Sequence, residues 1–263
     1  MHEVKLSSLS LFVGTSECNA KCKHCAGIPL RKYASKKDGE VDKELIIKTI
    51  TKCYEQGARY LSISSSGEPT LSPISVTKTL KLIDETKGIN FSPINLYSNG
   101  IRIGEDEEFC DEYLPKWKTL GLTTLYITVH NIDEKKNAKA YGVQKYPPLK
   151  KVVSRIQQSD LQIRANIVLS QTTISTLEEF IETNNYLMNI GVNKISAWPI
   201  RNKEDKIDYK LSPTETELDK IQEWINKTNH DVRLLREYNQ EVYKKGLKLT
   251  LFPNGVLSNT WCN

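Results

Sequence analysis

The chain has 263 residues, of which 38% are hydrophobic and 26% are charged, and its formal net charge is +5. These values are typical of one large globular α/β domain, and no run approaches the about 20 apolar residues of a membrane-spanning helix. The lysines are spread along the chain, which favours a solvated surface over a nucleic-acid site without excluding nucleic acid.

Apolar segments with strand character alternate with amphipathic helical patterns along most of the chain. Each strand segment is short, and a helical pattern follows it before the next strand begins. This alternation predicts a parallel sheet with right-handed crossovers. The predicted strands are 9–13, 60–64, 94–98, 125–129, 163–169 and 194–199.

Helix starts are indicated by proline at the first helical turn and by capping residues. One further helix has its apolar face at Ile46 and Ile50, and another covers about 106–120. The remaining helix starts are Ser72-Pro73, Pro147-Pro148, a capping box of Ser175 and Glu178, and Ser212-Pro213-Thr214-Glu215.

Six β–α repeats predict an α/β fold, a partial (β/α)6 TIM-like barrel of parallel strands with a short C-terminal extension. We expect residues 1–203 to form the barrel core and residues 204–263 to form a helical extension with a hairpin tail. The hairpin is predicted from an Asn254-Gly255 turn between the apolar segments 248–252 and 256–257. In such folds the reactive groups gather at the C-terminal ends of the strands.

Three cysteines, Cys18, Cys22 and Cys25, follow the first predicted strand. Three closely spaced thiolates can hold three irons of a [4Fe-4S] cluster and leave the fourth iron open to a small molecule. The alternative is a structural zinc site, which usually needs two ligand pairs, and the chain has no second cysteine pair. Residues 1–5 lack the apolar core of a signal peptide, so we expect a cytoplasmic protein, where cysteines favour metal binding over disulfides.

With this Cys-x3-Cys-x2-Cys spacing after the first strand, the chain resembles the radical S-adenosylmethionine (radical SAM) enzymes from about residue 9 to residue 199. The resemblance implies a [4Fe-4S] cluster held by Cys18, Cys22 and Cys25, with S-adenosylmethionine (SAM) bound at its open iron. It also implies that a reduced ferredoxin or flavodoxin donates one electron for the reaction. That electron cleaves SAM to methionine and a 5′-deoxyadenosyl radical, which abstracts a hydrogen atom from the substrate.

Two strand ends extend the resemblance. Ser66-Gly67-Glu68 resembles the family's Gly-Gly-Glu motif, with Ser66 in place of the first glycine, and the resemblance implies that Gly67 and Glu68 hold the amino group of SAM. Ser98-Asn99-Gly100 is similar to the family's Thr-Asn-Gly. Ser98 and Asn99 would bond polar groups of the ligand there, or Asn99-Gly100 is a simple turn.

The fifth and sixth predicted strands carry the remaining cofactor candidates. Arg164 and Asn166 share a face of their strand, and an apolar interior would make both costly without partners. The resemblance implies that the SAM carboxylate and ribose hydroxyls are those partners. The segment around Trp198 resembles the adenine-contacting segment of the family, although Trp198 is equally compatible with the core.

Three more cysteines and one histidine have other interpretations. Cys53 and Cys110 lie on apolar sides of predicted helices and are expected in the core. Cys262 is a candidate catalytic hydrogen-atom donor, as in some radical SAM epimerases, or part of a frayed terminus. His130 ends the fourth strand, where a hydrogen-bonded core role is favoured over catalysis.

The sequence leaves the substrate open. A small metabolite or a peptide is favoured, because few residues remain outside the barrel for an extra substrate domain. A radical SAM enzyme that modifies RNA is the enzymatic alternative, and a non-catalytic iron–sulfur or zinc-binding protein is the alternative from another class.

Overall fold

The computed structural model describes residues 5–236 and 238–259, and its described strands form one sheet of nine. The spatial order is β7-β6-β5-β4-β3-β2-β1-β8-β9, so the sheet is not closed. All neighbours pair in parallel except the last pair, which confirms the partial-barrel α/β fold. The strands are β1 (Ser8–Phe12), β2 (Tyr60–Ser64), β3 (Ile94–Ser98), β4 (Thr124–Val129), β5 (Gln162–Leu169), β6 (Lys194–Pro199), β7 (Val232–Leu234), β8 (Lys248–Leu251) and β9 (Leu257–Ser258).

Helices connect the successive parallel strands, as a parallel sheet requires. The predicted capping box at Ser175 and Glu178 is wrong by one residue, because Thr176 has the extended backbone of a cap and its hydroxyl accepts a hydrogen bond from the Glu179 amide. The helices are α1 (Lys43–Glu55), α2 (Pro73–Glu85), α3 (Ile101–Glu105), α4 (Glu107–Thr119), α5 (Glu134–Tyr141), α6 (Leu149–Gln157), α7 (Leu177–Asn189), α8 (Glu215–Lys227) and α9 (Tyr238–Lys244).

The C-terminal part of the chain adds strands to both edges of the sheet. β7 pairs with β6 at one edge, and β8 pairs with β1 at the other. β8 and β9 form the predicted hairpin, with Gly255 at a positive φ of 88° in its turn. The division of the chain at residue 203 stays a prediction, and strands from both sides of it share this sheet.

The two faces of the sheet differ in polarity because side chains alternate along each strand. On β5, Ile163, Ala165 and Ile167 are buried on the face that the helices cover, whereas Arg164 and Asn166 are half-buried on the other, inner face. The inner face therefore offers polar groups to a ligand, while the outer face forms the core. Within the described ranges, no helix has the length and apolar character to cross a bilayer.

Candidate functional site

The loop after β1 brings the three predicted metal ligands together. Cys18, Cys22 and Cys25 are free, half-buried thiols, and the Cys25 amide donates to the Cys22 carbonyl oxygen at 3.3 Å in a turn. Burial raises the pKa of Cys22 to about 12, with smaller contributions from the Cys25 and Cys18 thiols. A raised pKa favours the neutral thiol of Cys22 in the metal-free protein, and metal coordination deprotonates a thiol.

The donor set fits an iron–sulfur cluster better than a single zinc ion. Within residues 5–236 and 238–259, no three Cys, His, Asp or Glu side chains converge as ligands of one metal ion. A cluster takes each thiolate on a different iron, so its sulfurs need not converge on one point. His24, which lies between Cys22 and Cys25 in the sequence, packs its ring edge-on against His130, with ring centroids 4.9 Å apart.

Hydrogen bonds to backbone carbonyl oxygens tie the cysteine loop to the end of β2. The Glu68 amide donates to the Glu17 carbonyl oxygen at 2.8 Å, and the Ser65 hydroxyl donates to the Thr15 carbonyl oxygen at 3.0 Å. A Cβ at Gly27 would lie 2.7 Å from the Ser66 carbonyl oxygen and 3.5 Å from Cys25 Sγ. The strand-two motif thus lies directly against the loop that carries the thiols.

Gly67 lies where the backbone after β2 packs against the backbone of the cysteine loop. A Cβ at Gly67 would lie 2.0 Å from the Glu17 carbonyl oxygen. We expect Gly67→Ala to displace the cysteine loop, to destabilise the protein by about 2 kcal/mol and to lower its iron content after reconstitution. Thermal unfolding and iron analysis measure both effects. Gly88→Ala is the control, because a Cβ at Gly88 meets no atom within 4 Å, although the φ of Gly88 (+77°) is unfavourable for alanine. Equal iron loss in both variants would contradict the close approach at Gly67 as the cause.

Glu68 joins the ends of β2 and β3. Its side chain is buried, and its carboxylate accepts hydrogen bonds from the Thr70 amide (3.1 Å) and hydroxyl (2.9 Å), the Ser98 hydroxyl (2.8 Å) and the Asn99 amide (2.7 Å). Burial raises the pKa of Glu68, and these hydrogen bonds lower it in part. The carboxylate is therefore mostly satisfied by the protein, and its contact with the amino group of SAM stays a prediction.

The strand-three motif touches the cysteine loop directly. Asn99 Nδ2 donates to Asn19 Oδ1 at 2.7 Å and lies 3.9 Å from Cys18 Sγ, while its Oδ1 accepts from the Ile101 amide. The Ser98 hydroxyl donates to Glu68 and accepts from the Gly100 amide. Both residues thus organise the site, and their contact with a ligand stays a prediction.

The β5 and β6 candidates line a different part of the inner face. Arg164 pairs in register with Lys194, Asn166 with Ser196, and Val168 with Trp198. The buried Oδ1 of Asn166 has no hydrogen-bond partner among the described residues. Within that same part of the chain, no hydrogen bond joins Arg164 or Asn166 to the cysteine loop.

The remaining cysteine predictions have different outcomes. Cys53 on α1 and Cys110 on α4 are buried, which confirms their core roles. The Cys110 thiol also donates to the Ile103 carbonyl oxygen at 3.2 Å. Cys262, the candidate hydrogen-atom donor, lies outside the described residues, so its role stays a prediction.

His130 is buried at the end of β4, beside the cysteine loop. Its ring packs between those of His24 and Tyr141, at 4.9 and 4.5 Å, and its Nε2 has no hydrogen-bond partner among the described residues. The backbone amide is held by Asn137 Oδ1 at 3.0 Å. Asn137 was missed by sequence reasoning, because a buried amide on a polar helix gives no pattern.

His130 should make the protein sensitive to acid. Burial, with a smaller contribution from His24, lowers the pKa of His130 to about 3. As the pH is lowered, this imidazole therefore takes up a proton in the unfolded chain before it does so in the folded protein. Its contribution to the free energy of unfolding is complete above about pH 6.5 and falls by about 1.4 kcal/mol per pH unit toward pH 3. Urea unfolding of the metal-free protein from pH 4.5 to 7 measures this slope.

The matched variants are His130→Phe, which keeps a ring in the aromatic contact, and His230→Gln, which removes a histidine elsewhere. We expect His130→Phe to flatten the acid slope and His230→Gln to leave it in place. An unchanged slope in His130→Phe would show that His130 is not the group that titrates.

Comparison with known proteins places the chain in a family. A family model described as the radical SAM superfamily matches residues 12–195. GTP 3′,8-cyclase from Haemophilus influenzae (strain 86-028NP) is 25% identical over 143 residues, which are 54% of this chain and 38% of that relative. The match thus spans well under half of the relative's length.

Solved structures share the fold at low sequence identity. Streptococcus suis SuiB bound to its precursor peptide SuiA superposes with a TM-score of 0.69 at 16% identity, over 97% of this chain and 60% of SuiB. SuiB bound to S-adenosylmethionine gives 0.66 at 16% identity, over 97% of this chain and 58% of SuiB. Methylornithine synthase (PylB) gives 0.53 at 11% identity, over 88% of this chain and 72% of that protein. Because the family model covers well over half of the chain, the protein belongs to the radical SAM superfamily and is a radical SAM enzyme.

Proposed function

We propose that Cys18, Cys22 and Cys25 hold a [4Fe-4S] cluster and that SAM binds beside them, so that the enzyme abstracts a hydrogen atom from a small-metabolite or peptide substrate. One observation carries this proposal. The cysteine loop, the Gly67–Glu68 motif and the Ser98–Asn99 motif form one hydrogen-bonded unit at the C-terminal ends of β1, β2 and β3.

When bound, the cluster supplies a low-potential electron, taken from a ferredoxin or flavodoxin, that cleaves SAM to methionine and a 5′-deoxyadenosyl radical. The protein's own groups have simpler tasks. Asn99 orients the loop at Cys18 and Asn19, and Glu68 fixes the ends of β2 and β3. The sheet and its helices keep water from the reaction, which matters because a carbon radical attacks any nearby C–H bond.

The inner face of the half-open barrel supports a small substrate. Asn166, Trp198 and Thr128 are half-buried there, so they can contact a ligand without a further domain. SuiB, a structural neighbour, is described in complex with a precursor peptide, which supports a peptide as one substrate class. The cytoplasm suits the proposal, since a reducing compartment preserves thiolates and an oxygen-sensitive cluster.

Anaerobic reconstitution followed by SAM cleavage tests this function. We expect about four irons and four sulfides per chain, a brown thiolate-to-iron absorption, and 5′-deoxyadenosine and methionine when dithionite and SAM are added. Chromatography measures both products. A colourless protein with stoichiometric zinc, or a brown protein that leaves SAM intact, would contradict the proposal.

A further inference from the structure

A row of charged and aromatic side chains crosses the inner face of the sheet. The register aligns Tyr97 on β3 with Tyr126 on β4, Arg164 on β5 and Lys194 on β6. The Tyr97 and Tyr126 rings are stacked, with centroids 4.6 Å apart. The Arg164 guanidinium carbon lies 5.1 Å from the centre of the Tyr126 ring. An arginine is thus held against an aromatic wall inside the half-barrel.

Arg164 has few partners of its own. One terminal nitrogen, Nη1, donates to the Tyr126 hydroxyl. Its buried Nε has no hydrogen-bond partner among the described residues, and no carboxylate in that part of the chain lies within ion-pair distance of it. A guanidinium binds a carboxylate in a bidentate manner either through Nε and Nη2 or through Nη1 and Nη2. A partly buried guanidinium with one hydrogen bond and an unpaired Nε is costly unless a ligand supplies further acceptors.

The neighbouring charged side chains do not supply the missing partner of the Arg164 guanidinium. Asp231 bonds Lys194 at 2.6 Å, and this hydrogen bond is the main cause that lowers the pKa of Asp231, with smaller effects from Lys194, Arg164 and Arg233. Three cations therefore lie near one carboxylate, and that carboxylate is already paired. An incoming anion meets an excess of positive charge here.

The depth of Arg164 along its strand separates it from the cysteine loop. It lies five residues before the end of β5, about 16 Å at the rise of a strand, and Asn166 and Val168 stand between it and that end on the same face. Its partner Lys194 is the first residue of β6. The cysteine loop and Glu68 lie at the opposite, C-terminal ends of the strands.

We propose that Arg164 binds a carboxylate of the substrate, beside the Tyr97–Tyr126 wall, and does not bind the carboxylate of SAM. This inference rests on the proposed function, because it assigns the substrate side of the same barrel. It predicts a substrate class: a carboxylic acid such as an amino acid, a peptide terminus or another organic acid, with an apolar or aromatic part next to the carboxylate.

Binding of simple probes tests the proposal on the protein with its cluster reconstituted. We expect benzoate, followed by its own NMR signals, to bind in the millimolar range, and benzamide, its neutral analogue, to bind about tenfold more weakly or not at all. Arg164→Gln should weaken benzoate binding about tenfold, and Arg164→Lys should do so partially because lysine lacks the bidentate edge. The control Arg59→Gln removes an arginine on another surface and should change nothing.

SAM affinity, measured by equilibrium dialysis, separates the two possible carboxylates. We expect Arg164→Gln to leave SAM binding unchanged. Weaker SAM binding in Arg164→Gln, equal binding of benzoate and benzamide, or an unchanged benzoate affinity in both Arg164 variants would each overturn the proposal. Inorganic phosphate that displaces benzoate at lower concentration would also overturn it, in favour of a phosphoryl group. None of these binding measurements requires turnover. A failure of this proposal can therefore be distinguished from a failure of SAM cleavage.

Discussion

The Cys22→Ala variant is expected to lose its cluster and to produce no 5′-deoxyadenosine. Cys22 is the middle thiol of the loop, and its pKa is raised by burial and then by the thiols of Cys25 and Cys18, which places all three in one site. Two thiolates cannot hold a cluster in which three irons need protein ligands. We expect iron to fall from about four to below about one per chain, and SAM cleavage to fall by a factor of about 100 or more.

Cys53→Ala is the matched control for this experiment. Cys53 is also a free cysteine, but it is buried in α1 and serves the core. That variant should keep full iron content and SAM cleavage, with a modest loss of stability. Retained SAM cleavage in Cys22→Ala, or equal iron loss in both variants, would remove Cys22 from the metal site.

Glu68→Ala is expected to have the second largest effect, through the structure of the site. Removing the carboxylate leaves four buried donors without their acceptor: the Thr70 amide and hydroxyl, the Ser98 hydroxyl and the Asn99 amide. Each unsatisfied buried group costs free energy, so we expect a loss of about 3 kcal/mol or more in unfolding free energy. Because Asn99 also contacts the cysteine loop, SAM binding should weaken as well.

Two further variants define what Glu68 contributes. Glu68→Gln keeps the shape, but its amide group must face one of the donors, so it should recover only part of the stability. Ser98→Ala removes one of the four hydrogen bonds and should cost about 1 kcal/mol. Urea unfolding and SAM dialysis measure the series. If Glu68→Ala unfolds like the unmodified protein but binds SAM weakly, the carboxylate acts on the ligand and not on the fold.

The strands were the most predictable part of the fold. The apolar segments between the helical patterns predict the bounds of each of the first six strands to within one residue of the observed bounds. The short helices α3 and α5 were missed, because α3 contains a glycine and α5 is mostly polar. The pairing of β8 with β1 was also missed, since a parallel pairing between distant segments leaves no local signal.

The sequence predicts which segments contribute to the candidate site, but it does not predict the hydrogen bonds between those segments. Spacing predicts the three cysteines as metal ligands, and strand-end motifs predict Glu68 and Asn99 as ligand-binding residues; these roles stay predictions. The sequence could not show that Asn99 reaches Cys18 and Asn19, or that the Glu68 carboxylate bonds Ser98, because those contacts join segments up to 81 residues apart. For the same reason the Tyr126 hydroxyl was not foreseen as the partner of Arg164.

Electron paramagnetic resonance of the reduced, reconstituted protein tests the central claim most directly. If Cys18, Cys22 and Cys25 leave one iron open for SAM, adding SAM labelled with ¹⁷O in its carboxylate should change the cluster spectrum and introduce a hyperfine coupling to that oxygen. A cluster signal that is identical with and without SAM would contradict the account.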